Sequence, residues 1–247
     1  MESNHMNKQR AVIVVAGAIF LLAVVGGAVQ RSIKKSHLEW ATLLVTELQP
    51  ENTSYQHKQG FIKWRGDDGA TFAESRTDCS GFLNVLLGRA YGLTSGDFEK
   101  WLGKRRPLAS EYHDAIAQQQ RFRLITTARN VRAGDVIAIK YPPGTNENTG
   151  HIMIVESPPV RRNNSKPEIE NTQQWEVSVI DSSESGHGRT DTRRKPDGAF
   201  GSGVGQGIFR LYTNPSGEIV GYSWSTFANS DYYDQTMRHL VIGRLNL

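Results

Sequence analysis

The stretch TDCSGFLNVLLGRAYG, residues 77–92, has the pattern of a helix that begins near Asp78 and ends at Gly92. Its apolar side chains recur three and four residues apart, which predicts one face buried against a core; they are Phe82, Leu83, Leu86, Leu87 and Ala90. A second helix is predicted over residues 37–49, ended by Pro50. One or two short helices are predicted over residues 97–120, with Ser110 as a candidate cap.

Beyond residue 120 the pattern changes to short runs rich in Val and Ile, bounded by Gly, Pro, Asn and Ser. These runs predict strands over residues 121–126, 135–140, 151–156, 176–181 and 240–245, and a hairpin of residues 208–213 and 219–224 around an Asn-Pro-Ser-Gly turn. Helices followed by strands predict an α+β domain in which N-terminal helices pack on an antiparallel sheet. Two polar segments, residues 157–174 and 182–206, are predicted to be long loops that are either functional or disordered.

Composition excludes several classes of protein. The chain has 247 residues, of which 38 % are hydrophobic and 22 % charged, as expected of a folded protein. Its net charge is +4, but Lys and Arg are mixed with Asp and Glu, so no nucleic-acid partner is expected. A single cysteine excludes an internal disulfide and a zinc site of several cysteines.

Residues 11–29 contain no charged side chain and are long enough to cross most of a bilayer. We predict that residues 1–35 form a membrane anchor, or alternatively a signal cleaved after Ala28, and that residues 36–247 form the functional domain. Both alternatives put that domain outside the cytoplasm, membrane-anchored or secreted into the periplasm or beyond.

Cys79 is the candidate nucleophile. It is predicted to lie in the first turn of a helix, where free N–H groups and the helix dipole favour a thiolate. The alternative is a small buried core side chain, which is a common fate of a free cysteine.

A thiolate nucleophile needs a base and a group that orients the base. His151 is the candidate base, because it follows Gly150 and begins a predicted strand. Pairing Glu156 with Glu176 in an antiparallel ladder would put Asp181 opposite His151, on the same face of the sheet. A register slip of one residue would send Asp181 to the other face.

Several alternatives stay open for these residues. His151 is alternatively a structural histidine, and Asp181 a cap of the following turn. His187 is the reserve third member, although the glycines beside it argue against a fixed position. A metal site of His151, Asp181 and His187 is a further alternative.

Three motifs together resemble those of the NlpC/P60 superfamily of papain-like cysteine hydrolases. They are Asp78-Cys79-Ser80-Gly81-Phe82, Val131-Arg132-Ala133-Gly134-Asp135-Val136-Ile137 and Gly150-His151-Ile152-Met153-Ile154-Val155, within residues 61–183. Ala133 stands where this family usually has proline. The resemblance implies a papain-like core with Cys79, His151 and Asp181 as catalytic residues. It also makes Tyr55 a candidate oxyanion contact, with Asp78 and Ser80 as further candidate contacts.

The resemblance implies an exported thiol hydrolase that cleaves an amide or peptide bond through a thioester acyl-enzyme, without metal or cofactor. Cell-wall peptidoglycan is the expected substrate. The loop cations Arg189, Arg193, Arg194 and Lys195 would attract its carboxylates, or alternatively are only solvated. The alternatives are an amidase or acyltransferase of the same fold acting on another substrate, and an inactive membrane-tethered binding module.

Overall fold

Four α-helices precede most of the strands in the computed structural model, which describes residues 34–58, 60–144 and 148–247. They are α1 (His37–Glu47), α2 (Cys79–Tyr91), α3 (Ser95–Leu102) and α4 (Ala109–Ala117). Three short 3-10 helices cover Pro50–Asn52, Asp67–Gly69 and Ala128–Asn130. The predicted anchor over residues 1–35 lies almost wholly outside the described residues. Within the described part, no helix is both long and apolar enough to cross a membrane.

The ends of the helices follow from local hydrogen bonding. Ser36 and Glu39 form a capping box at the start of α1, and α2 ends where Gly92 adopts the left-handed conformation. The prediction of Ser110 as a cap is wrong, because α4 begins one residue before it. The N–H of Leu108 instead donates to the side chain of Glu111, at 2.8 Å.

Two sheets contain the strands of the described residues. The small sheet has the order β1-β3-β2, with β1 Thr53–Ser54, β2 Phe61–Lys63 and β3 Glu74–Arg76. The large sheet has the order β11-β10-β9-β8-β6-β5-β12-β4, with β7 paired to β8, and every neighbouring pair is antiparallel. Its strands are β4 Phe122–Ile125, β5 Val136–Lys140, β6 Gly150–Val155, β7 Val160–Arg161, β8 Gln173–Ser183, β9 Gly203–Thr213, β10 Ile219–Ser223, β11 Tyr232–Asp234 and β12 His239–Leu245. The prediction of an α+β fold with an antiparallel sheet is therefore confirmed.

The large sheet separates two apolar clusters. Ile152, Ile154 and Ile180 face the helices, where α2 packs on β6 and β8. Met153, Val155 and Val179 alternate with them and face a second cluster, which includes Phe209 and Tyr222. Strand β6 is consequently buried along its whole length, which fixes its register against both neighbours.

The two predicted long loops are shorter than the sequence indicates. Strands β8 and β9 pair over eleven residues, from Gln173 with Thr213 to Ser183 with Gly203. The second loop is thereby reduced to residues 184–202. Most of the first loop remains, interrupted by β7 and ended by β8. Polar residues and glycines in β8 and β9 hide this ladder from an analysis of apolar periodicity.

Candidate active site

Cys79 is the first residue of α2, at the point where this helix meets the end of β8. Asp78 caps the helix, because its carboxylate accepts the N–H of Gly81 at 2.7 Å. The Ser182 hydroxyl of β8 donates to the carbonyl of Thr77 at 2.6 Å, and this bond ties the strand to the start of the helix. The thiol is buried, yet it lines a small cavity together with Tyr55, Ser80 and Gly150.

The side chains of His151 and Asp181 meet, although the predicted register is wrong by two residues. Ile154 pairs with Ile180 and Val155 with Val179, so Glu156 does not oppose Glu176. A shift by an even number of residues leaves each side chain on its predicted face. The Nε2–H of His151 accordingly donates to Oδ2 of Asp181, at 2.6 Å.

The imidazole of His151 also lies within electrostatic reach of the Cys79 side chain. Because Nε2 is taken by Asp181, Nδ1 is the ring nitrogen left to face the sulfur. Burial lowers the pKa of His151, but negative charge at Cys79 and the bond to Asp181 outweigh it and raise this pKa to about 10. The His151 ring therefore carries its second proton at neutral pH, next to Cys79.

Tyr55 lines the same small cavity as Cys79. Burial, followed by the charge of Cys79, raises the pKa of Tyr55 well above its usual value. A phenol that keeps its proton can donate a hydrogen bond to the sulfur, or to a substrate oxygen that takes the place of the sulfur as acceptor.

Asp181 is held by two further side chains from the loop of residues 184–202. Nε2 of His187 lies 2.9 Å from Oδ2, and Nη1 of Arg193 donates to Oδ1 at 2.9 Å. Burial raises the pKa of Asp181, but Arg193, His187 and the bond to His151 bring it well below its usual range. The carboxylate thus stays ionised although it is fully buried.

Asp191 in turn holds the loop in place. Its carboxylate accepts two bonds from the Arg193 side chain, at 2.8 and 2.9 Å, and one from the backbone N–H of His187, at 2.7 Å. Gly205 and Gly207 of β9 lie beneath these groups, and a Cβ at either position would overlap with Arg193 or Asp191. The loop can close on the strand only because both positions lack a side chain.

One named relative was found. The chain is 40 % identical over 226 residues to the uncharacterized protein R653 of Acanthamoeba polyphaga mimivirus, a match that covers 87 % of this chain and 99 % of the viral protein. The chain belongs to the R653 family. No protein-family model matches the sequence, and no solved structure matches the fold.

Other candidate residues of this R653-family protein have structural partners. Asp78 caps α2 and accepts from Arg106 at 2.7 Å, and the Ser80 hydroxyl donates to Asp78 at 3.1 Å. His187 is not loose, as the glycines around it suggested, but fully buried, with Nδ1 2.7 Å from the carbonyl oxygen of Trp224. Among the described residues, no group of three or more His, Cys, Asp or Glu side chains is arranged to hold a metal ion.

Sequence reasoning missed the role of Arg193. Both interpretations of the loop cations required it to be exposed, whereas its guanidinium is buried between Asp181 and Asp191. Arg189 and Lys195 are exposed and Arg194 is half-buried. No local signal separates Arg193 from its neighbours, because its two partners come from β8 and from the loop itself.

Proposed function

We propose that this R653-family protein is a thiol hydrolase that cleaves an amide or peptide bond. One observation carries the proposal: the His151 ring is bound at Nε2 to a buried aspartate and faces Cys79 at the start of a helix. A nucleophile, a base and a group that orients the base are the parts that acyl transfer requires.

In the first step, the Cys79 sulfur attacks the carbonyl carbon of the substrate and forms a C–S bond. The π electrons move to the carbonyl oxygen, which becomes an oxyanion. In the first turn of α2, Gly81 N–H donates to the Asp78 carboxylate and Phe82 N–H to the Asp78 carbonyl. The N–H groups of Cys79 and Ser80 are left to stabilise the oxyanion, with the Tyr55 hydroxyl beside them.

The oxyanion then collapses and the C–N bond breaks, while Nδ1 of His151 gives its proton to the departing amine. This leaves a thioester between Cys79 and the acyl group. In the second step, water gives a proton to His151 and adds to the thioester carbonyl. The C–S bond breaks, the carboxylic acid departs, and the thiolate and imidazolium are restored.

The proposal includes the type of fold and the class of substrate. A helix that begins with the cysteine, a histidine strand and an acidic residue on the next strand of the sheet support a papain-like core of the NlpC/P60 type. Cell-wall peptidoglycan peptides are the substrate class that we propose first. We also propose that residues 11–29 direct export, either as a membrane anchor or as a cleaved signal.

The test uses the full-length chain and purified peptidoglycan, with new amine termini measured by mass spectrometry. We expect amine release by the wild-type chain and by a Ser110→Ala control, and none by Cys79→Ala. Peptides that carry the same bond outside a wall polymer serve as second substrates. Amine release that is equal in Cys79→Ala, or absent with every amide offered, would overturn the proposal.

A second measurement separates a reactive thiol from an inert one. Cys79 is the only cysteine, so the mass added by iodoacetamide reports on this residue alone. We expect His151→Gln to slow alkylation at pH 7 by about tenfold or more, because the ring no longer supports the thiolate. Equal rates in both proteins would favour the inactive binding module.

A further inference from the structure

A cleft beside His151 has an aromatic lining and one arginine. Four aromatic side chains surround it, and they are Tyr55, Tyr141, Trp224 and Tyr233. The Trp224 ring lies 4.8 Å from the ring of His151, measured between centroids. Arg238 lines the same cleft and is half-buried. The candidate base thus opens onto a surface that carries a fixed positive charge, and the small cavity beside Cys79 adjoins this cleft, since Tyr55 and His57 line both.

Arg238 is held by rings, and it pairs with none of the carboxylates in the part of the chain that the structure describes. Its guanidinium carbon lies 3.9 Å from the centroid of the Tyr233 ring and 4.5 Å from that of Tyr141. None of the ion pairs among the described residues includes it. Contact with rings uses the flat face of a guanidinium, whereas its N–H donors point outward in its plane. Such an edge matches the two oxygens of a carboxylate.

We propose that Arg238 binds a carboxylate of the substrate, so that the preferred substrates carry a carboxylate close to the bond that Cys79 attacks. The inference rests on the proposed hydrolase function and narrows its substrate class to anionic amides. Arg238 is a specificity-determining residue in this view.

The pKa of Tyr141 responds to the charges of both Arg238 and Cys79. Burial raises the pKa of Tyr141 to about 12, while the charge of Arg238 lowers it and the charge of Cys79 raises it. The phenol therefore lies within electrostatic reach of both groups. Glu184 also lines the cleft, but it is exposed and its charge acts on Tyr55. Glu184 is the one acidic side chain that lines the described part of the cleft, and it forms no ion pair with Arg238 there.

The first test compares two alkylating reagents of similar size, iodoacetate and iodoacetamide, on the full-length chain. Both form an S–C bond with the Cys79 thiolate and release iodide, and they differ in charge. We expect Arg238→Gln to reduce the ratio of the iodoacetate rate to the iodoacetamide rate by about fivefold, since a nearby cation attracts only the anion. An unchanged iodoacetamide rate shows that the site is intact.

Two further variants sharpen this comparison. Arg238→Lys keeps the charge and is expected to retain most of the ratio. Arg123→Gln removes an equal charge from an exposed position on β4, opposite Arg244 at the end of β12 that is remote from Arg238, and is expected to leave the ratio unchanged. A ratio that is the same in Arg238→Gln as in the wild-type chain would overturn the anion site.

The second test measures hydrolysis of paired peptides that differ only in glutamate or glutamine next to the scissile bond. Loss of a charge-assisted pair predicts that Arg238→Gln lowers kcat/KM about 10- to 100-fold for the glutamate peptide and little for the glutamine peptide. Equal hydrolysis of both peptides by the wild-type chain would refute the inference and leave the hydrolase standing. No hydrolysis, with the alkylation ratio still dependent on Arg238, would refute the hydrolase and leave only an anion site.

Discussion

Replacement of Arg193 by methionine removes the cation between two buried carboxylates. The guanidinium makes one bond to Asp181 and two to Asp191, all between 2.8 and 2.9 Å, and a fourth to the carbonyl of Gly203 at 3.2 Å. Methionine is unbranched like the aliphatic part of arginine, so packing beside that part is largely kept while the guanidinium and its charge are lost. Both carboxylates stay buried, and they keep only the bonds from His151, His187 and the loop backbone.

The expected loss in the free energy of unfolding is about 3–5 kcal/mol, the usual cost of breaking a buried ion pair from one side. Because a domain is stable by only about 5–15 kcal/mol, this loss is a large part of the total. Denaturation in urea, followed by the fluorescence of the five tryptophans, measures it. Arg189→Met, at an exposed position of the same loop, is the control and should change the stability by less than about 0.5 kcal/mol.

A double-mutant cycle tests the reason for the loss. Asp191→Asn removes the charge that Arg193→Met leaves unpaired, so the double variant should lose less stability than the sum of the single variants. A loss below about 1 kcal/mol for Arg193→Met, or strictly additive losses, would show that water reaches this network and that the ion pairs do not hold the loop.

Further outcomes are expected for His151, Gly150 and Ser182. The His151 ring should titrate near pH 10 by NMR, and the midpoint should fall in Cys79→Ala, because negative charge at Cys79 raises the pKa of His151. Since this pKa is raised on folding, its contribution to stability is complete below the usual value of 6.5 and disappears as the pH rises through about 10. Gly150→Ala should lower Tm by several degrees, because Gly150 has a φ of +147° and a Cβ there would overlap the Ile139 carbonyl. Ser182→Ala should cost about 1 kcal/mol in urea denaturation, because the bond to Thr77 is lost.

The parts of the fold that depend on local sequence could be predicted. The apolar spacing and Gly92 define α2, and the Asn-Pro-Ser-Gly turn joins β9 to β10. Strands β1, β2 and β3 have two or three residues each, which is too short for a periodic pattern, so the sequence does not predict them. Local sequence propensity does not predict such strands, because they form only by pairing with segments that are distant in the sequence.

In the candidate site too, some residues can be predicted from local sequence and others depend on how the chain folds. Cys79 could be chosen from its place at a helix start, and His151 from its place at a strand start. The prediction of Asp181 depends on a pairing that is off by two residues, and Asp181 reaches His151 only because an even shift preserves the face. Arg193 and the fixed position of His187 depend on how the loop closes over β9, and no spacing in the sequence encodes that closure.

The buried network around Asp181 has a consequence for how such proteins change over time. The same carboxylate serves the folded state through Arg193 and His187, and the proposed chemistry through His151. A lineage that abandons the reaction would still need this anion for its solubility and lifetime in the cell. Within the R653 family, Asp181, His187, Asp191 and Arg193 are therefore expected to be inherited as a block, and to be replaced together or not at all.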